Sequence, residues 1–346
     1  MPPPSASESA PRWPLRFLYA AGLIVLFLGI DHVVHATIVD FWYNTLIRIG
    51  IYIVLSASLN LVNGVTGQFS LGHAAFMVIG AYTGGEISIL AERPASHMPP
   101  IEAAVFQVLV FIGGTLAGAI LAALAGMIVG MPTLRLRGDY LAIATLGFGE
   151  ITRVLFQACE PLGGATGLYG VPVRTNLFWS LCLVTITLVM LRNLQHSGPG
   201  RDMLAVREDE FAAAAVGVDV VRTKVVAFIV AAAFAGAAGS LFIQLNNGIT
   251  PQQAGFLGSI QIVVMVVLGG MGSLTGASIG AVILVTYHAL IQGIAPPSVA
   301  RYENVIYPVV LILLMLVRRE GILGSRELSW STFSRLFNRF RRTEKR

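Results

Sequence analysis

Gly200-Arg-Asp-Met-Leu-Ala-Val-Arg-Glu-Asp-Glu-Phe-Ala-Ala-Ala-Ala-Val-Gly217 is a charged, helix-forming island between long apolar runs. A connection that only joins two apolar segments needs a short polar turn, whereas this one is composed as a helix. Glu208, Asp209 and Glu210 supply the negative charge that a helix N-terminus favours. Ala212 to Ala215 are the strongest helix formers. Gly217 stands where a helix C-terminus takes a left-handed residue. The island suits two roles. With Phe211 among its alanines it is a peg for a socket on another protein; alternatively it is a helix lying on the membrane surface.

Outward from the island the chain is 55% hydrophobic and 12% charged, against about 25% charged for a soluble domain. This is the composition of an all-α polytopic membrane protein with one membrane domain. The 37 glycines suit helices that pack closely in lipid. About ten apolar segments are expected at roughly 20 residues per crossing. They are Leu15–Ile30, Phe41–Val62, Ala74–Leu90, Ala103–Met131, Tyr140–Phe156, Leu177–Leu191, Val225–Leu245, Phe256–Leu268, Leu274–Ile291 and Val305–Val317. Residues 1–14 read as a polar, proline-rich disordered tail, residues 15–318 as the membrane domain with a loop at 192–224, and residues 319–346 as a basic tail. Leu15–Ile30 is expected to be the first span rather than a signal-peptide core, because no small-residue cleavage site follows it.

The +5 net charge is not a nucleic-acid signature, since much of it lies in the tail from Arg318 to Arg346. Arg12 and Arg16, Arg135 and Arg137, and the Arg201–Lys224 loop fall on the same side as that tail, while residues 31–40, 91–102 and 159–176 carry fewer cations. The positive-inside rule then makes both termini and the island cytoplasmic. Arg48, well inside the second segment, does not fit the pattern.

Two glycine-rich breaks interrupt the apolar runs, Asn63-Gly-Val-Thr-Gly-Gln-Phe-Ser-Leu-Gly-His73 and Gly269-Gly-Met-Gly-Ser-Leu-Thr-Gly-Ala-Ser278. Gly64/Gly67/Ser70 and Gly269/Gly272/Thr275 share one spacing, which suggests an internal repeat. Unwound backbone at membrane depth is tolerated inside protein or against a water-filled path. On that reading Asn63, Gly64, Gly67, Gln68, Ser70, Gly72, Gly269, Gly270, Gly272 and Gly276 line a route; on the other, both breaks are ordinary tight turns.

No enzyme constellation is present. There is no phosphate-binding Gly-x-x-x-x-Gly-Lys-Ser/Thr loop, no His-Glu-x-x-His and no Gly-x-Ser-x-Gly. Neither a cofactor nor a metal is expected, and Cys159 and Cys182 form no ligand spacing. His73 and His288 suit packing or helix–helix hydrogen bonding better than metal ligation. Glu150 and Arg153 share a helix face at i, i+3, as a structural ion pair inside the bundle or as functional intramembrane charges.

Several stretches in order resemble permease subunits of ABC importers for branched-chain amino acids, of the LivM type. They are Leu59 to Tyr82, Leu136 to Arg153, Gly163-Gly-Ala-Thr-Gly-Leu168, Gly200 to Gly217 with Lys224-Val-Val-Ala-Phe228 and Ala235-Gly-Ala-Ala-Gly239, and Val267 to Gly276. The resemblance spans about Leu55 to Gly324. It implies a multi-pass, non-catalytic permease of the bacterial inner membrane. It also implies a sister permease as heterodimer partner, two cytoplasmic ATP-binding subunits and a periplasmic substrate-binding protein. The family's coupling helix maps onto Arg207, Glu210, Phe211, Ala213 and Gly217. Urea, short amides and aromatic acids are alternative substrates for the same architecture. An ion-coupled secondary transporter is the alternative of another class, against which the sparse membrane charges argue.

Overall fold

Helix α9 (Val220–Asn246) is the most deeply buried span, and its small-residue faces explain why. The computed structural model describes residues 13–95, 97–133, 139–294 and 321–324. In these residues the chain forms α1 (Trp13–Thr37), α2 (Asp40–Asn60, continuing as a π turn through Leu61–Val65), α3 (His73–Ala95), α4 (Pro100–Thr133) and α5 (Asp139–Ala158). Then follow α6 (Leu177–Gln195), α7 (Gly198–Glu208), α8 (Glu210–Ala215), α9, α10 (Phe256–Gly269) and α11 (Leu274–Ile294). A two-residue antiparallel ribbon pairs β1 (Leu168–Tyr169) with β2 (Gly248–Ile249), with Leu168 opposite Ile249.

Helices α3, α4 and α9 meet backbone to backbone. A methyl group placed on Gly80 of α3 would fall on the Gly236 carbonyl of α9, and one on Gly118 of α4 would lie 2.8 Å from the Gly80 carbonyl. In lipid, where apolar burial gives little drive for association, such approach supplies the van der Waals contact that holds helices together. Around this block, α2 packs on α6, α9 and α11, and α10 pairs with α11.

Seven of the described helices are long and apolar enough to cross a membrane: α2 with its π turn, α3, α4, α5, α6, α9 and α11. The protein is thus a multi-pass, all-helical membrane protein. The ten expected segments are not all found among the described residues. The expected first segment, Leu15–Ile30, lies within the 25-residue helix α1, whereas Val305–Val317 lies outside the described residues. Helix α10 has 14 residues, about 21 Å at 1.5 Å per residue, against a hydrocarbon core of about 30 Å.

The reason for that short helix lies upstream. After β2, residues 250–255 run as extended and 3-10 backbone instead of helix, packed against α5 and α3. The Glu150 carboxylate, about 16 Å along α5, accepts from the Phe256 backbone N–H at 3.2 Å and so satisfies the first turn of α10. Residues 250–255 are thus a non-helical stretch packed within the bundle, between the segments expected at Val225–Leu245 and Phe256–Leu268.

Candidate functional site

The two glycine breaks touch. Asn60, fully buried at the end of α2, accepts from the Gly272 N–H through Oδ1 at 2.8 Å. Gly64 packs on Gly272 so closely that no Cβ fits between them. The two breaks differ in conformation. The first is a buried loop: Thr66 bonds back to the Leu61 and Val62 carbonyls, and Asn63 Oδ1 takes the Ser70 N–H at 3.2 Å. The polar atoms Asn63 Nδ2, Gln68 Oε1 and Nε2, and Ser70 Oγ are buried there without a protein partner. Gly72 lies on the Thr145 carbonyl of α5, and the adjacent Leu71 N–H bonds Thr145 Oγ1 at 3.0 Å. The second break is a tight turn. Gly270 and Gly272 have φ of +117° and +91°, and Ser273 caps α11 by accepting from Gly276 N at 3.0 Å. Gly269 and Gly276 bring α10 and α11 together there. The shared spacing of the two breaks thus does not produce a shared conformation.

The charged island reaches this junction. It is two helices rather than one, divided at Asp209, whose extended backbone (φ −158°) ends α7 and caps α8. Asp209 Oδ1 accepts from Phe211 N at 2.8 Å and Ala212 N at 3.1 Å, the satisfaction that an aspartate at the N-cap provides. Glu210 opens α8, whereas Glu208 closes α7 and so does not belong to the helix start expected for it. Gly217 adopts φ +93°; its N–H bonds Ala214 O, and Val218 N–H bonds Ala213 O, the paired bonds of a Schellman C-cap.

Arg207 does not share a helix with Phe211. In the last turn of α7 it turns into the protein, where Nη1 donates to the Gly64 carbonyl at 2.9 Å. A Cβ placed on Gly67 would lie 2.8 Å from Arg207 Cγ, and one on Gly272 would lie 3.0 Å from Arg207 Nη1. One guanidinium is therefore wedged between both breaks. It also pairs with the exposed Glu208 at 3.2 Å. On α8, Ala213 is buried at 3% exposure while Phe211 is 70% exposed, so the phenyl ring rather than Ala213 is the outward-facing part of that helix. Glu210 forms an ion pair with Lys224 on α9, a lysine only 3% exposed. That pair fixes α8 to the start of the central helix.

Glu150 and Arg153 form the ion pair expected of their spacing, at 2.6 Å. They are half-exposed, and the pair serves the α10 terminus: Arg153 holds Glu150 while Glu150 caps Phe256. His73 bonds Ser58 between α3 and α2 at 2.9 Å. Residues 321–324 also join the junction, Ile322 N–H bonding Leu268 O at 2.9 Å and Leu323 N–H bonding Gly269 O at 3.2 Å. That part of the chain thus stands on the same side of the bundle as α7 and α8. Sequence reasoning missed Asn60 and Lys224. Asn60 lies one turn before the first break and reads as part of an apolar segment. Lys224 is the only lysine before the C-terminal tail, but its partner is fourteen residues away across a turn.

Residues 41–316 match a family described as the permease component of the branched-chain amino acid transport system. The high-affinity branched-chain amino acid transport permease LivM of Escherichia coli is 33% identical over 341 residues, covering 88% of this chain and 74% of that protein. A probable LivM permease of Methanocaldococcus jannaschii is 24% identical over 73% of this chain and 82% of its own length. LivH of Salmonella typhimurium is 35% identical over a shorter stretch, 39% of this chain and 42% of that protein. No solved structure matches the chain. With α2 to α11 and both breaks inside the matched range, the chain belongs to the branched-chain amino acid transport permease family.

Proposed function

We propose that this chain is a membrane-spanning permease subunit of an ABC importer for branched-chain amino acids in the bacterial inner membrane. It pairs there with a sister permease of the LivH kind. Two cytoplasmic ATP-binding subunits drive the pair, and a periplasmic binding protein supplies it. Residues 15–318 act as one permease unit between tails at 1–14 and 319–346, with both termini cytoplasmic. The chain itself catalyses no reaction.

The observation that carries this reading is the Arg207–Gly64 hydrogen bond. An importer driven from outside the chain needs a mechanical connection between a docking element and the path. Here α8 offers exposed Phe211 to a partner and is held to α9 by Glu210–Lys224. The adjoining α7 ends in the arginine seated between the two breaks. A push on α8 moves the foot of α9 and the Arg207 wedge together. The polar atoms of Asn63, Gln68 and Ser70, buried without protein partners, suit the wall of a hydrated passage. Phe211, Glu210, Gly217 and Arg207 are the coupling residues on this reading, with Ala213 as packing beneath them.

The test is transport in proteoliposomes containing this chain, its sister permease, the ATPases and the binding protein. Uptake of labelled leucine that requires both ATP and the binding protein is expected. Uptake driven by an ion gradient and indifferent to ATP would overturn the reading.

A further inference from the structure

At the end of the bundle opposite α7 and α8, a cavity of about 410 Å³ opens between α2, α9, α11 and the non-helical stretch before α10. Its size is at the small-ligand end of known binding pockets, roughly 300–1,000 Å³. Arg48 lies on its wall, about 12 Å along α2 from Asp40. A guanidinium at that depth is costly unless paired, and is a functional candidate by default. Among the described residues its hydrogen bond is to a neutral group, Nη2 donating to Asn246 Oδ1 at 3.0 Å. Nε is buried without a partner, and among the described residues no carboxylate forms an ion pair with Arg48. Across the cavity Gln253 presents a buried acceptor, Oε1, that is likewise unpartnered. Phe242, Ile249 and Val285, all buried, complete the wall with apolar surface.

The cavity thus holds an unmatched cationic donor, an unmatched neutral acceptor and an apolar wall. The small molecule with the complementary set is a zwitterionic amino acid with an aliphatic side chain. We propose that this cavity is a transit site for the transported amino acid. Arg48 receives the α-carboxylate, Gln253 Oε1 accepts from the α-ammonium, and the side chain lies against Phe242, Ile249 and Val285. Asn246 already occupies one arm of the guanidinium, so the site holds its ligand loosely and releases it inward. This rests on the importer reading above and adds to it where the substrate head is received.

The experiment is leucine uptake and ATP hydrolysis measured together in the reconstituted full transporter, for wild type, Arg48→Met, Gln253→Leu and Asn246→Asp. The Asn246→Asp variant keeps the arginine but gives it a resident carboxylate, and so tests the site even where Arg48→Met fails to insert. The expected result is a fall in leucine transported per ATP of about tenfold or more in Arg48→Met and Asn246→Asp. Gln253→Leu should show a smaller fall, and binding-protein-stimulated ATP hydrolysis should persist in all three. Unchanged leucine per ATP in Asn246→Asp, or in an inserted Arg48→Met, would overturn the transit site while leaving the importer standing. Absence of ATP-dependent leucine uptake in the wild type would remove both.

Discussion

Replacing Arg207 with alanine tests whether the island and the glycine breaks communicate. The side chain makes one charge-assisted bond to a backbone carbonyl, and its stem packs on Gly67. A hydrogen bond to a charged group contributes about 1.5–3 kcal/mol. One-third exposure of the side chain and its competing pair with Glu208 reduce this to about 1–2 kcal/mol. If the contact is made in one transport state and released in the other, its loss shifts their equilibrium by about 5- to 30-fold. Binding-protein-stimulated ATP hydrolysis and leucine uptake, measured in parallel on proteoliposomes, should therefore part company. Uptake per ATP falls by that factor, while basal hydrolysis and the amount of inserted permease are unchanged. Arg207→Lys keeps the charge without the fork and should recover only part of the loss. A wild-type ratio of uptake to hydrolysis in a normally inserted Arg207→Ala protein would refute the connection.

Gly80→Val places a branched side chain against the Gly236 carbonyl. It should cost at least the roughly 1–3 kcal/mol typical of overpacking, read as a lower midpoint of thermal unfolding in detergent. Gly217→Val forces a β-branched residue to φ +93°, a strain of about 1–2 kcal/mol. Faster proteolysis near residue 217 and weaker association with the ATPase are expected, with the membrane helices intact. Phe211→Ala should leave unfolding unchanged, since the ring is 70% exposed, yet reduce co-purification of the ATPase. Lys224→Met removes the ion pair that ties α8 to α9 and should loosen α8, read as faster proteolysis around residues 208–217 with the membrane helices intact.

Long apolar runs disclose a helix wherever the whole helix sits in lipid, so α2, α3, α4, α5, α6, α9 and α11 were legible within a few residues of their ends. The bounds of α10 were legible too, since the expected Phe256–Leu268 ends one residue short of it, but hydropathy does not show how its first turn is satisfied. The decisive atom there, Glu150 Oε1, is 106 positions away from the N–H it caps. Gly217 was legible because its role is local: a left-handed residue closing a run of alanines. The partition of the island at Asp209 was less so, because three successive acids suit a helix start equally well, and only the Asp209 carboxylate turns back onto the chain. Arg207 read as part of the docking helix since sequence places it four residues from Phe211. Its inward turn depends on Gly64 and Gly67, which a linear reading holds about 140 positions away. Arg48 was conspicuous as a misfit among apolar neighbours, but its surroundings come from α9, α11 and the unwound stretch.

The seam where Gly80, Gly118 and Gly236 meet has a mechanical consequence. With carbonyls pressed into the spaces that side chains would fill, α3, α4 and α9 have no room to shear past one another. They form a stiff strut whose foot is Lys224 and whose far end carries Asn246, the residue bound to Arg48. Such packing favours carrying a tilt at the foot to the opposite rim as a rigid-body movement. The compliance needed for a stroke is then confined to the seams where α2, α10 and α11 adjoin the strut.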